Sequence, residues 1–563
     1  MTNDQARNAV ANDNAVATLR EEPETAALST QSPAPAPAPP AMSRWKMPLY
    51  IASSVLFFLT QGLGMNLVSA NIYQLQGSFS ATVAEISWLS AAYMAPYASF
   101  AIALFKIRTQ YGLRRFAEFS IICFVLASIL NLLVTDLHSA IAIRAISGMA
   151  AAPLSTIGFL YMLEAFPPAK KLSLGLSLAL MNTLISAPLA RIISPTLLDF
   201  GGWNALYSFE MGLALIALPV IYLLPVTAPP RANVIQRTDI LSYLLLATGF
   251  GCLAVFLTLG RLYWWFETPW LGVLLAVTIG AMTLLFIVEA PRKNPMLDFR
   301  WLFSGPNMRM AGLLLLFRFV SSEQSTTAAN FYQQLGLLND QTVSLYAVVL
   351  AAAIVGGLFC SLLMLTRYVE TAHAIALVLI AAGAWLDSQS TSMTRPADMY
   401  LSQALVSAGA AMFLPPIMSK GFGAVLAKGT TYVVNFLVIF LFTQSIGALF
   451  ASAVLGTFVT MREKFHSNIL VERILLSDPV VAQRVSQLSG AYGKVISDKS
   501  LLNAEGLSLL AQQVTREAYI LAYNDAFFVI FLASFAGLVI LLLHRAFDKI
   551  VTLRSAAAPQ PAP

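Results

Sequence analysis

Charge is what this sequence most lacks. Only 11% of its 563 residues are Asp, Glu, Lys or Arg, against about 25% in soluble domains. Histidine is also scarce: His138, His373, His466 and His544 lie far apart, without the spacing of a zinc site. The three cysteines, Cys123, Cys252 and Cys360, all fall inside apolar runs. They read as small core residues and not as a disulfide or metal set. The chain has no Gly-x-x-x-x-Gly-Lys-Ser/Thr run, which excludes a P-loop ATPase. It also lacks a Gly-x-Ser-x-Gly elbow and a Gly-x-Gly-x-x-Gly strand-helix unit. The expectation is a protein that is not an enzyme and holds no metal or cofactor.

Apolar residues are abundant, at 58%, with a mean hydropathy of +0.71. A soluble protein cannot hide that much apolar surface, so lipid must cover part of it. This excludes a water-soluble enzyme, a secreted disulfide scaffold and a disordered chain. The fold class is an all-α polytopic membrane protein. Closed β-barrels need short alternating strands, which are absent. Apolar runs predict fourteen spans near 48–73, 83–105, 116–135, 138–163, 171–198, 204–224, 239–260, 270–290, 308–334, 341–366, 371–389, 399–421, 431–460 and 521–546.

Basic residues fix the expected orientation. Alternate short loops hold Lys106, Arg108, Arg114 and Arg115; Lys170 and Lys171; Arg231 and Arg237; Arg292, Lys293 and Arg300; Arg367; and Lys420 and Lys428. The intervening loops hold little beyond Arg261 and Arg395. The positive-inside rule therefore puts both termini in the cytoplasm. The formal charge of +6 follows from these loops and implies no nucleic-acid partner. Residues 1–46, rich in Ala, Asn, Glu and Pro, read as a disordered cytoplasmic tail, and 547–563 as a second tail. The long loop 461–520 is expected in the periplasm as a hairpin of short helices, serving as a solvated connector or a docking surface.

With many spans and no energy module, the default function is a secondary transporter driven by an ion gradient. Ionisable groups within spans are costly and mark function. They are Arg144, Arg191, Glu210, Arg318 and Glu323, while Glu85, Asp387 and Asp525 sit near outer ends where they could face water. Glu323 opens a polar strip, Glu323-Gln324-Ser325-Thr326-Thr327. Lipid depth disfavours a charged carboxylate, a condition that suits a proton carrier. The alternative role for Glu323 is a structural partner for an arginine. The first span offers Gln61, Asn66, Asn71 and Gln74, the twelfth Gln403, and the thirteenth Asn435 and Gln444. These amides suit either ligand orientation or interhelical hydrogen bonds. Pro153 and Pro188 kink their spans, as gating helices often are.

The order of several segments resembles the major facilitator superfamily, specifically its fourteen-span drug:proton antiporters of the EmrB/QacA type, with the EmrB branch the closer likeness. Lys106 to Arg115, with Gly112, Arg114 and Arg115, stands where that family has a basic gating loop. Arg144-x-x-x-Gly148 with Ala152-Pro153 resembles the fourth-span motif. Phe166 to Lys171, Ala187-Pro188, Trp203, Trp264-Trp265-Phe266, Asn294 to Asp298 and Gln403 with Pro415 follow in order. The chain also departs from the pattern. Gly64 stands where the family has an acidic residue in span one, Ser147 replaces a glutamine, Arg191 to Thr196 replaces Gly-Pro-x-x-Gly-Gly, and Thr109 replaces a loop acid.

The resemblance implies two six-helix halves, 47–224 and 308–546, around two additional spans in 225–307. It implies proton-driven export of small amphipathic organic molecules, such as drugs or natural products, across a bacterial inner membrane. A membrane-fusion adaptor and an outer-membrane channel would be partners. Coupling would run through Glu323, with Arg144 tuning it and Glu210 as a further candidate. Gln61, Asn66, Asn71, Arg191, Arg318, Gln324, Gln403 and Gln444 would line the substrate cavity. Arg191 either pairs with Glu210 or Glu323, or faces the cavity and attracts an anion. Two other readings stay open: an organic-anion or siderophore transporter without proton antiport, and a non-transporting scaffold or sensor.

Overall fold

A computed structural model describes residues 45–227, 231–292, 295–366, 368–428, 431–475 and 477–557. The predicted tail 1–46 therefore lies almost wholly outside the described residues, as do Lys293, Asn294, Arg367 and the last six residues. All regular structure among the described residues is helical.

The first helices are α1 (Lys46–Ala70), α2 (Ile72–Phe79), α3 (Val83–Tyr111), α4 (Leu113–Asn131) and α5 (Leu137–Glu164). Local chemistry sets their ends. The Thr82 hydroxyl and Glu85 carboxylate form a capping box that starts α3, and Asp136 with Ser139 does the same for α5. Gly112, at φ +85°, turns the chain between α3 and α4 where a side chain would be strained. A short α6 (Pro168–Lys170) and a π turn lead into α7 (Leu176–Leu223). The predicted fifth and sixth spans are both within α7, which bends at Gly201 and Gly202, the latter at φ +57°.

Next come α8 (Arg237–Leu259), α9 (Pro269–Glu289), α10 (Phe299–Leu302) and α11 (Gly305–Ser322). A π turn at Glu323–Ala328 joins α11 to α12 (Ala329–Gln334). The chain finishes with α13 (Val343–Leu363), α14 (Val369–Asp387), α15 (Tyr400–Lys428), α16 (Thr431–Glu472), α17 (Pro479–Gly490) and α18 (Lys499–Ala557). Eleven helices among the described residues are long and apolar enough to cross a membrane. The shortfall from fourteen has physical causes. Helix α7 holds two predicted spans, α4 starts with Arg114, Arg115 and Glu118, and the predicted ninth span is divided by its π turn.

The expected hairpin of short helices takes a different form. Its two outer pieces continue α16 and α18, and only α17 is a separate short helix, packed on α18. Residues 547–557, in the expected second tail, continue α18.

One apolar core joins α1, α3, α4, α5 and α7, and a second joins α11, α13, α14, α15, α16 and α18 with the start of α7, Leu176 and Leu180. Close helix approach depends on glycine. A methyl group on Gly148 would come 2.1 Å from the Tyr93 carbonyl oxygen, so α5 and α3 touch backbone to backbone. Helix α8 packs on α3 and on α16, so the inserted pair touches both cores. A charged knot pins it at one end. Asp239 accepts from Lys106 at 2.8 Å and from Arg292 at 2.6 Å, and Arg292 also reaches Glu289 at 2.5 Å. Asp239 thus gives Lys106, at the end of α3, an acidic partner from α8.

Candidate functional site

A cavity of about 500 Å³ lies between the two cores. Helices α1, α3, α5 and α7 wall one side, and α11 with its π turn, α13, α15 and α16 the other. Gln61, Asn66, Arg191, Arg318, Gln324 and Gln444, six of the residues expected at a substrate cavity, line it. Arg261, from the α8–α9 connection, lines it as well. Among the described residues, no carboxylate lines it.

The three guanidinium groups meet neutral partners. Arg318 donates to the Gln444 side-chain oxygen. Arg191 donates to Asn339 Oδ1 at 3.2 Å and lies 5.1 Å from the centre of the Tyr346 ring. It pairs with neither Glu210 nor Glu323 and faces the cavity instead. The Arg261 side chain packs over Gly456, whose missing side chain leaves the room. Unneutralised guanidinium groups in a partly apolar cavity create a positive field that favours an anionic group. Met65, Phe159 and Phe440 supply apolar wall for the rest of an amphipathic molecule.

Two expected lining residues point elsewhere. Asn71 ends α1, donates to Ser194 Oγ at 2.7 Å and accepts from Asn339 at 2.8 Å. Asn339 also donates to the Ala70 carbonyl at 2.9 Å, so the turn before α13 is latched to α1 and α7. Gln403 is 1% exposed and turns away from the cavity. Its amide donates to Glu323 Oε1 at 2.8 Å and to Asp387 Oδ2 at 2.7 Å. Asp387 is therefore not a water-facing residue at a helix end: it is 1% exposed and shares a donor with Glu323, which is 0% exposed. Glu323 has no arginine in ion-pair contact among the described residues.

Arg144 and Glu210 form a separate group in the first core. Arg144 Nη1 donates to the Gly64 carbonyl at 2.8 Å, and its guanidinium lies 4.3 Å from the Tyr93 ring centre. The Glu210 carboxylate occupies the space beside Gly64, 2.8 Å from where a Cβ would stand. Arg144 acts electrostatically on Glu210. Arg144 and Glu323 are held by different cores and share no contact among the described residues.

The kink prolines Pro153 and Pro188 are both buried, and Pro188 borders the cavity. Arg114 and Arg115 are exposed, and Arg114 pairs with Glu118 at 2.9 Å. Sequence reasoning missed Arg261, Asn339 and the role of Asp387. Arg261 had one signal, a lone cation in an otherwise nearly uncharged connection.

The sequence profile of the Major Facilitator Superfamily matches residues 52–452. The multidrug export protein EmrB of Escherichia coli (strain K12) is 22% identical over 487 residues, covering 85% of this chain and 91% of that protein. The fatty acid resistance protein FarB of Neisseria gonorrhoeae is 24% identical over 421 residues, covering 72% and 77%. Among solved structures, the human organic anion transporter MFSD10 aligns with a TM-score of 0.52 at 12% identity, covering 87% of this chain and 99% of that one, a likeness of fold alone. Helical architecture, two cores around a central cavity and a profile match over most of the chain lead to one conclusion: this protein is a member of the major facilitator superfamily of membrane transporters, related to the EmrB-type multidrug export proteins.

Proposed function

We propose that the chain exports small amphipathic organic molecules across a bacterial inner membrane, driven by inward proton flow. Both termini are in the cytoplasm and the chain crosses the bilayer fourteen times in this reading. The observation that carries it is the position of Gln324. Its side chain borders the cavity and also donates to the Gln403 carbonyl at 3.2 Å and to Gln403 Oε1 at 3.4 Å. Gln403 in turn holds Glu323. A substrate group that engages Gln324 therefore competes with the hydrogen bonds around a buried carboxyl group, which links substrate binding to proton binding. The relatives named as multidrug export proteins support export as the direction.

The charge of the cavity narrows the substrate. Three cations and no lining carboxylate favour molecules with an anionic head and an apolar body. The name of the FarB relative, a fatty acid resistance protein, agrees with this class. In this reading a membrane-fusion adaptor and an outer-membrane channel are its partners.

The test uses cells lacking their major pumps, with an adaptor co-expressed, and a panel of fluorescent drugs and aromatic carboxylic acids, each acid beside its neutral amide. The protein lowers accumulation of the acids more than of the amides, and both a protonophore and Glu323→Gln abolish the effect. Arg318→Gln raises KM for the acids by about tenfold to a hundredfold, the loss of one hydrogen bond to a charged group. Export that ignores the protonophore would instead favour an organic-anion transporter without proton antiport.

A further inference from the structure

We infer that Glu323 and Asp387 act as one proton site, two carboxyl groups holding a single proton, with Gln403 as the positioning residue that connects this site to the cavity. The inference rests on the proton-coupled reading above and adds a second carboxyl group and a route to it.

The geometry is closed on all sides. Glu323 opens the π turn, Asp387 is the last residue of α14, and Gln403 lies in the first turn of α15. All three are buried to within 1% of full burial. One amide group donates to both carboxyls, at 2.8 and 2.7 Å. The two remaining oxygens, Glu323 Oε2 and Asp387 Oδ1, are buried and have no partner among the described residues. Two carboxylates facing one amide without a cation would place two like charges side by side in a medium of low polarity. A single proton removes one charge and turns one carboxyl into a donor. Loading adds one proton from water to the pair, and unloading returns it to water.

The groups facing the pair do not supply that missing positive charge by contact. Tyr332 comes from α12 and Tyr346 from α13, and both interact electrostatically with Glu323. Arg191 lies beyond Tyr346, over its ring, and keeps its hydrogen bond to Asn339. Ser402 on α15 is a neutral neighbour of Asp387. Farther along α18 and α16, Asp525 bonds Arg462 and His466. The π turn itself is a feature that recurs at functional sites, because it breaks the regular helical ladder. Here it sets Glu323 into the protein interior and the next residue, Gln324, on the cavity wall.

Gln403 is the only described residue that bonds both carboxyl groups. When the pair loses its proton, both carboxylates draw on the two N–H bonds of the same Gln403 amide, whose own oxygen and backbone carbonyl accept from Gln324. A ligand at Gln324 therefore changes proton affinity at the pair, and the proton changes ligand affinity to the same extent.

The test reads the proton without requiring transport. The full chain is purified into lipid nanodiscs and titrated by infrared difference spectroscopy, in which a protonated carboxyl group has its own carbonyl band. Wild type shows one such band that titrates in a single step. Glu323→Gln and Asp387→Asn each move its midpoint by about one pH unit or more, and the double variant lacks it. Gln324→Ala, at the cavity wall, leaves the melting temperature unchanged and still moves the midpoint. A band and midpoint unchanged by Asp387→Asn, or a double variant whose band intensity equals that of wild type once the Glu210 contribution is subtracted with Glu210→Gln, overturns the shared site. A midpoint unchanged by Gln324→Ala overturns the link to the cavity. Should a carboxyl variant fail to fold, wild type and Gln324→Ala decide, and absence of a titrating band counts against the site. If the pair titrates as stated while export is insensitive to a protonophore, proton-driven export falls and the shared site stands.

Discussion

Gly64 carries no side chain, and the Glu210 carboxylate uses the space it leaves. The two residues are far apart in sequence, yet each limits what the other can be. Gly64→Ala puts a methyl group about 2.8 Å from Glu210 Oε1 and is expected to cost roughly 1–3 kcal/mol, the range for overpacking a tight core. Glu210→Ala removes the obstacle. A double-mutant cycle on thermal unfolding in detergent should therefore give a coupling energy clearly above the few tenths of a kcal/mol seen for independent sites. Additive effects would show that the contact carries no strain. The same region explains how a chain without the span-one acid still holds a carboxylate beside Arg144, since Glu210 on α7 brings it in from the other side.

At the scale of elements, helix ends follow from short-range chemistry and can be tested one at a time. Helix α18 is the longest in the molecule and starts with Asp498, whose carboxylate accepts from the Ser500 backbone N–H at 2.8 Å and from its hydroxyl at 3.0 Å. The backbone bond, followed by the hydroxyl bond, holds this carboxyl below the ordinary aspartate range. A depressed folded value contributes stability above the unfolded value, about 3.9, and the contribution is lost as pH falls through the folded value. Protection against hydrogen exchange at the first turn of α18, relative to the intrinsic rate at each pH, should therefore fall on acidification below about pH 4. Asp498→Asn keeps a cap and removes this pH dependence. Equal pH dependence in both proteins would assign the fraying to another group. Elements in the membrane obey a different limit. Their ends are set by apolar length, and their mutual distances by residues such as Gly148 that let backbones meet.

At the scale of the whole molecule, one hydrogen-bonded latch joins the two cores. Asn339 donates to Ala70 and Asn71 on one side and accepts from Arg191. Alternating access requires such contacts to break and reform as the halves rock. Asn339→Ala should shift the population toward a form in which this end of the cavity is wider. Spin labels at Ser78 and Asp340, both exposed, would read it as a larger share of long distances. An unchanged distance distribution would mean that apolar packing, not the latch, holds this end. The inserted pair α8–α9 adds a second constraint, because α8 packs on both α3 and α16 and its end is tied by Asp239 and Arg292. Rocking must move around that strap or carry it along.

The sequence by itself determined the helical class and where the apolar segments fall, because a span needs about 20 apolar residues and lipid offers backbone groups no other partner. It also singled out Glu323 and Gln324, since polar residues in such a run are costly enough to be conspicuous. Six of the eight expected cavity residues face the cavity. Tertiary structure alone decided the rest. Periodicity shows that a residue shares a helix face, and not which neighbour that face meets. Asp387 and Glu323 are 64 residues apart and meet only because α14, α15 and the π turn pack together, with Gln403 between them. Arg191 could have paired with an acid by charge alone, but the packing of α7 turned it toward Asn339 and the cavity. Burial, partner and orientation are properties of packed helices, and no single helix contains them.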